Sequence, residues 1–174
     1  PAPRKYHQMN HLLLPRLHWR DPSLPVHLVV AAATRSRFVH GTLVVGRDMG
    51  WGVQQEWSVG AFGPVLRAAG ADYEAWAYRV NDPGWREIGE AAARWLLDRL
   101  PTAPKEYDWA GAGFVGVQAL MGAHRRVGLR NAVPYCFEGV TDAYDQIGMD
   151  VVPDADSGCV LGADIDASPV LFRL

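Results

Sequence analysis

Cys136 stands in "NAVPYCFEGVTDAYDQIG", residues 131–148, directly after Pro134 and Tyr135 and at what reads as the first turn of a helix. A thiol reacts as the thiolate, and the free N–H groups and dipole at a helix start favour that anion. A nucleophile of this kind still needs a base, and the base needs a partner that holds its ring. Six histidines are available. His7, His11 and His18 fall in a proline-rich opening segment, His27 at the start of an apolar run and His124 in a polar loop. His40 sits within the apolar run "FVHGTLVVG" beside Gly41, so it is the candidate base. Glu56 in "WGVQQEWSV" is the candidate carboxylate to orient the imidazole, and Gln54 shares its face because strand side chains repeat every two residues. Trp57 next to them is a candidate for lining a groove.

These residues need a scaffold of strands and helices. The two runs 26–34 and 38–46, rich in β-branched residues and separated by Arg35, Ser36 and Arg37, predict a strand pair. Residues 51–59 and 73–80 predict two more strands. After "NDPG", Trp85, Ile88, Ala92, Trp95, Leu96 and Leu100 recur at helical spacing up to Pro101, which predicts a helix with one buried face. Asp108 is the expected N-cap of a second helix, the Ala/Gly-rich "WAGAGFVGVQALMGA". In the Cys136 segment, Phe137, Val140, Tyr144 and Ile147 form the apolar stripe of a third, and Gly148 stops it. The last 24 residues read as loop, one or two short strands and an acidic turn. Residues 1–25 contain five prolines and no sustained period, so they read as an extended N-terminal arm, with residues 26–174 as one domain.

The resemblance enters on these pieces. "PYCFEGVTDAY" resembles the cysteine segment of the circularly permuted NlpC-type papain-like hydrolases, the YiiX-like group. "FVHGTLVVG" resembles that group's histidine strand, "VQQEW" the strand after it, and "EYDWAGAGF" the Tyr-Asp segment that precedes the cysteine helix. The order His, acid, Cys is the permuted one. The matched pieces run from about residue 27 to about residue 150. The resemblance implies an α+β, papain-like fold: a small, mainly antiparallel sheet with the nucleophile helix packed on it. It implies Cys136 as nucleophile, His40 as general base and then acid, and Glu56 as the third polar residue. Tyr135, or the backbone N–H of Cys136, would hold the oxyanion. The implied activity is cleavage of an amide through a thioester, with a peptidoglycan peptide bond as substrate and lipid esters or amides as the second class. The sequence departs from the group where its serine after the cysteine is Phe137 and its serine before the histidine is Val39.

Other chemistry has less support. A net charge of -2 argues against a surface that tracks phosphates. No glycine-rich phosphate loop appears, and no cofactor is expected. His7 and His11 have the i, i+4 spacing of a metal pair but lack the intervening Glu of a zincin. Asp154, Asp156, Asp164 and Asp166 lack the offsets of a calcium loop, so no metal is expected. The two cysteines are expected to be reduced. The longest apolar tract, 109–123, is shorter than the roughly 20 residues of a membrane span. The opening residues lack the pattern of a signal peptide, which leaves a protein cytoplasmic as made or carried in a virion. The alternative function is a structural subunit of a larger assembly, such as a bacteriophage virion or tail tip, attached through the N-terminal arm, with its site active or idle.

Overall fold

The structure is a computed structural model that describes residues 12–15, 28, 31–32, 38, 40–47, 54–60, 63–68, 75–122, 126–128, 134–153 and 155–174. It is α+β, as expected. Strands β1 (Leu12–Pro15), β2 (Thr42–Arg47), β3 (Gln54–Gly60), β4 (Gly63–Ala68), β5 (Ala75–Val80) and β6 (Leu171–Arg173) form a sheet of order β4-β3-β2-β1-β5-β6. Every pairing is antiparallel. The helices described over their full length are α1 (Trp85–Arg99), α2 (Trp109–Leu120), α3 (Cys136–Asp145) and the short α4 (Gly162–Ala167).

Two parts of the chain differ from the sequence expectation. Leu12–Pro15, inside the range read as an arm, is an interior strand between β2 and β5, and Leu12 is fully buried. Its three leucines mark a strand only once β2 and β5 supply the ladders on either side. Within the run 26–34, read as the strand partner of β2, the described residues Leu28, Ala31 and Ala32 are helical. The alanines favour helix there, and β1 takes the sheet position that the run would have filled. Strand β4 and helix α4 were not visible as patterns; both are six residues long and depend on their neighbours.

Register explains how the sheet presents its residues. Leu43 pairs with Trp57 and Leu12, and Leu12 with Tyr78, so these four share one row and one face. They form the main core with Phe38 and Val59, together with Ala92 and Leu96 of α1 and Phe137, Val140 and Tyr144 of α3. The other face of β2 and β3 carries Thr42, Val44, Glu56 and Ser58, and all four are buried as well. Tyr78 of β5, next to the edge strand β6, ties the sheet to α4, its hydroxyl donating to Asp166 of that helix.

Helix termini follow the sequence signals. Asp108 accepts a 2.7 Å hydrogen bond from the Gly111 N–H and caps α2. Ahead of α1, Asp82 Oδ1 accepts from Gly84 N at 2.7 Å, and Trp85 opens the helix. Gly148, at φ 81°, ends the turn after α3 in the left-handed region that glycine tolerates.

Candidate active site

Cys136 is the first residue of α3 and lies where that helix meets the chain entering β2. Three things anchor this end of the helix. The Tyr135 hydroxyl donates to the Val160 carbonyl at 2.8 Å. The Tyr135 N–H donates to Glu138 Oε2 at 3.2 Å, the half of a capping box in which the side chain reaches back. Phe137 is 2% exposed and packs so closely on Gly41 that a Cβ there would lie 2.8 Å from its Cδ1. The serine-to-phenylalanine departure is thereby accounted for: Phe137 fills the core between Gly41, Phe38 and Gly162.

The thiol is 2% exposed. Burial pushes its pKa up; hydrogen bonding from the Gly41 N–H, the Tyr107 hydroxyl and the Phe137 N–H acts in the opposite direction. Tyr107 Oη stands 3.9 Å from Sγ. Tyr107 is itself raised well above its ordinary range, first by burial and then by the neighbouring sulfur. In this conformation Cys136 is a neutral, enclosed thiol ringed by donors, with the segment of His40 one peptide away through Gly41.

His40 Nε2 is 2.6 Å from Ser58 Oγ. Ser58 is 1% exposed, so this partner is fixed in the sheet. Glu56 is fully buried and accepts from Thr42 Oγ1 at 3.1 Å. Half-buried His40 and buried Thr42, Glu56 and Ser58 thus form one polar row on the face of β2 and β3 opposite Leu43 and Trp57. Reasoning from sequence singled out His40, Glu56 and Cys136 and did not single out their hydrogen-bonded neighbours Ser58, Thr42 and Tyr107. The i, i+2 relation of Glu56 to Ser58 was the available signal for Ser58. Tyr107 carried no signal beyond its place in the Tyr-Asp motif.

The remaining candidates resolve differently. Tyr135, named from sequence for the oxyanion, donates its hydroxyl to the Val160 carbonyl and anchors the helix start. Gln54 pairs with Arg47 in the ladder, and its side chain is outside the described residues. Trp57 turns to the core face and packs on Gly139, where a Cβ would come within 2.3 Å of its Cη2. It also floors a groove of about 440 Å³ with Trp95, Leu96, Leu100, Pro104 and Glu138. Burial raises Glu138 to about 7, and the charges of Asp108, Asp142 and Asp156 add to the shift. The loop beyond α1 both walls this groove and leads to Tyr107. It is held by the β3–β4 hairpin, where Gly63 at φ 94° leaves no room for a side chain against Pro104.

Cys136 and Cys159 are both free. Cys159 donates to the Asp156 carbonyl at 3.0 Å and packs with Val115 and Leu161. The tail carboxylates have structural partners: Asp156 accepts from Gly158 N, Asp164 from Leu161 N and Arg126, and Asp166 from Tyr78. Among the described residues, no group of three or more His, Cys, Asp and Glu is placed to hold a metal. His7 and His11 lie outside those residues. No described helix is long and apolar enough to cross a membrane.

No family model matches the sequence, and no curated protein does either. Among solved structures, the chain is similar to the metalloprotein YiiX of Escherichia coli O157:H7, described as DUF1105. The TM-score is 0.60 at 15% identity, and the match covers 97% of each chain. The likeness spans the whole architecture, so the α+β fold of this chain is YiiX-like.

Proposed function

We propose that this chain is a cysteine hydrolase of the permuted NlpC type that cleaves an amide through a thioester. The observation that carries the reading is the packing of Gly41 on the helix start that bears Cys136, where a Cβ at Gly41 would lie 2.8 Å from Phe137 Cδ1 and 3.5 Å from the Cys136 carbonyl oxygen. It brings the His40 segment to a thiol at a helix start, with Ser58 holding His40 Nε2. In this mechanism His40 takes the thiol proton and the sulfur attacks the substrate carbonyl. The tetrahedral intermediate collapses to a thioester as His40 returns the proton to the departing amine. Water then adds to the thioester with His40 as base and releases the acid and the thiol. Ser58 holds the ring at Nε2, and Glu56, which accepts from Thr42 on the same face, is the third polar residue. The Cys136 N–H and the Tyr107 hydroxyl are the donors for the oxyanion.

The substrate class we favour is a peptide bond of peptidoglycan, with lipid amides or esters second; this follows from the resemblance of the motifs. The metal named for YiiX has no described cluster here to receive it, and no step is assigned to one. The test is turnover of purified peptidoglycan and of acyl amides, with mass spectrometry of the protein after a short exposure. Wild type is expected to carry an acyl mass on Cys136. Cys136→Ala and His40→Ala are expected to lose at least a hundredfold in rate. Unchanged turnover in Cys136→Ala ends the proposal.

A second reading is favoured by the enclosure of the thiol. A structural subunit of a larger assembly, a phage virion or tail tip among them, would carry the same site idle. Alkylation of Cys136 at neutral pH separates the two, since a poised thiolate labels faster than a free cysteine and a sealed one slower.

A further inference from the structure

Helix α2 is built inside out. Its buried residues are Gly111, Val115, Gly116 and Gln118, and only Val115 among them is a bulky apolar side chain. Val115 packs with Cys159 and Leu161. Gln118 ties the helix down by exchanging 2.9 Å hydrogen bonds with the Val127 backbone. The opposite half presents Trp109, Phe114, Val117, Leu120 and Met121, which are 42% to 73% exposed, and Val127 continues the patch at 66%. Ala110 and Gly113 are exposed between them, and a Cβ at Gly113 would meet nothing within 4 Å. No charged residue occurs from Trp109 to Gly122.

We infer that this half of α2 is a self-association surface, on which a second copy of the chain places its own α2 antiparallel across a two-fold axis. Three features select that occupant. The exposed apolar side chains offer on the order of 700 Å² per copy, close to the ~800 Å² per partner of a standard interface and above the patch of a typical monomer. The surface is self-complementary, because bulky Phe114, Val117 and Met121 alternate with the openings at Ala110 and Gly113. The uncharged stretch buries no ion and sets no like charges against each other across the axis, while antiparallel helices oppose their dipoles. The patch also borders the thiol: the Trp109 ring lies 4.4 Å from that of Tyr107, the residue at the Cys136 sulfur.

The experiment is light scattering of the full chain across micromolar concentrations. Twice the chain mass is expected for wild type, and for the control Glu90→Gln on exposed α1 surface. The single-chain mass is expected for Phe114→Glu and Val117→Glu, each with an unchanged circular dichroism spectrum. Gly113→Cys, near the middle of the patch, is expected to form a disulfide between copies under copper phenanthroline and air, which the buried Cys136 and Cys159 do not. A wild-type chain that stays monomeric to about 100 µM overturns the inference. So does a dimer that persists in both glutamate variants. A monomer that floats with phosphatidylcholine vesicles and loses this in Val117→Glu also overturns it, and assigns the patch to a lipid surface.

Discussion

Helices α2 and α3 are close in length and opposite in design. In α3, seven side-chain positions are buried, including Phe137, Val140 and Tyr144, and the helix packs on the sheet as part of the main core. In α2, the bulk points outward and small or polar residues point in. Burying large side chains stabilises a helix in its own fold. Placing them outside leaves that energy for a contact with another surface. The difference assigns the two helices different work: α3 holds the thiol in place, and α2 offers a surface.

Matched substitutions break this comparison most directly. Val140→Asp puts an unpaired charge where exposure is zero and is expected to cost more than about 4 kcal/mol in urea unfolding. Val117→Asp, half exposed, is expected to change monomer stability by less than about 0.5 kcal/mol. Equal losses at both positions would mean that α2 is buried in the chain's own core.

Gly139→Ala is the next largest effect. The new Cβ would sit 2.3 Å from the Trp57 ring, so an overpacking cost of about 1–3 kcal/mol is expected. Removal of the ring with Trp57→Leu in the same chain should recover part of it, measured as a double-mutant cycle.

Asp108→Ala removes the cap of α2 and is expected to cost about 1 kcal/mol. Asp108→Ser keeps an acceptor for Gly111 but deletes Oδ2, which is buried and finds no hydrogen-bond partner among the described residues. The serine variant is expected to be at least as stable as wild type. A loss equal to that of alanine would show that Oδ2 has a partner in solution.

A pH dependence completes the series. Glu138 sits at about 7 in the folded chain, against about 4.3 unfolded, so the folded state holds the proton more tightly. Its contribution favours folding below pH 4.3 and is lost as pH rises through 7. Glu138→Gln keeps an acceptor for the Tyr135 N–H and is expected to flatten this part of the melting-point profile between pH 5 and 8. An unchanged slope would place the titration on another group.

Much of α1 and α3 was legible because each has a 3.6-residue apolar stripe that nothing in the tertiary structure opposes. The caps and stops at Asp108 and Gly148 were legible for the same local reason. β1 was not, since a four-residue strand that ends on Pro15 has meaning only through β2 and β5. Alternation placed Glu56 beside the candidate histidine, yet the bond to Nε2 comes from Ser58, two residues further along the same face. Only the cross-strand register could decide between them. Likewise, the apolar character of 109–123 identified a helix but not which half of it would be covered.

By itself, the sequence determined the α+β class, the course of α1, α2 and α3 and a cysteine at a helix start, because these depend on neighbours within a few residues. The tertiary structure decided that Cys136 is enclosed, that Ser58 holds His40, and that α2 turns its large side chains to solvent. Those outcomes depend on which distant segments arrive at the same place. Short-range periodicity carries no record of that.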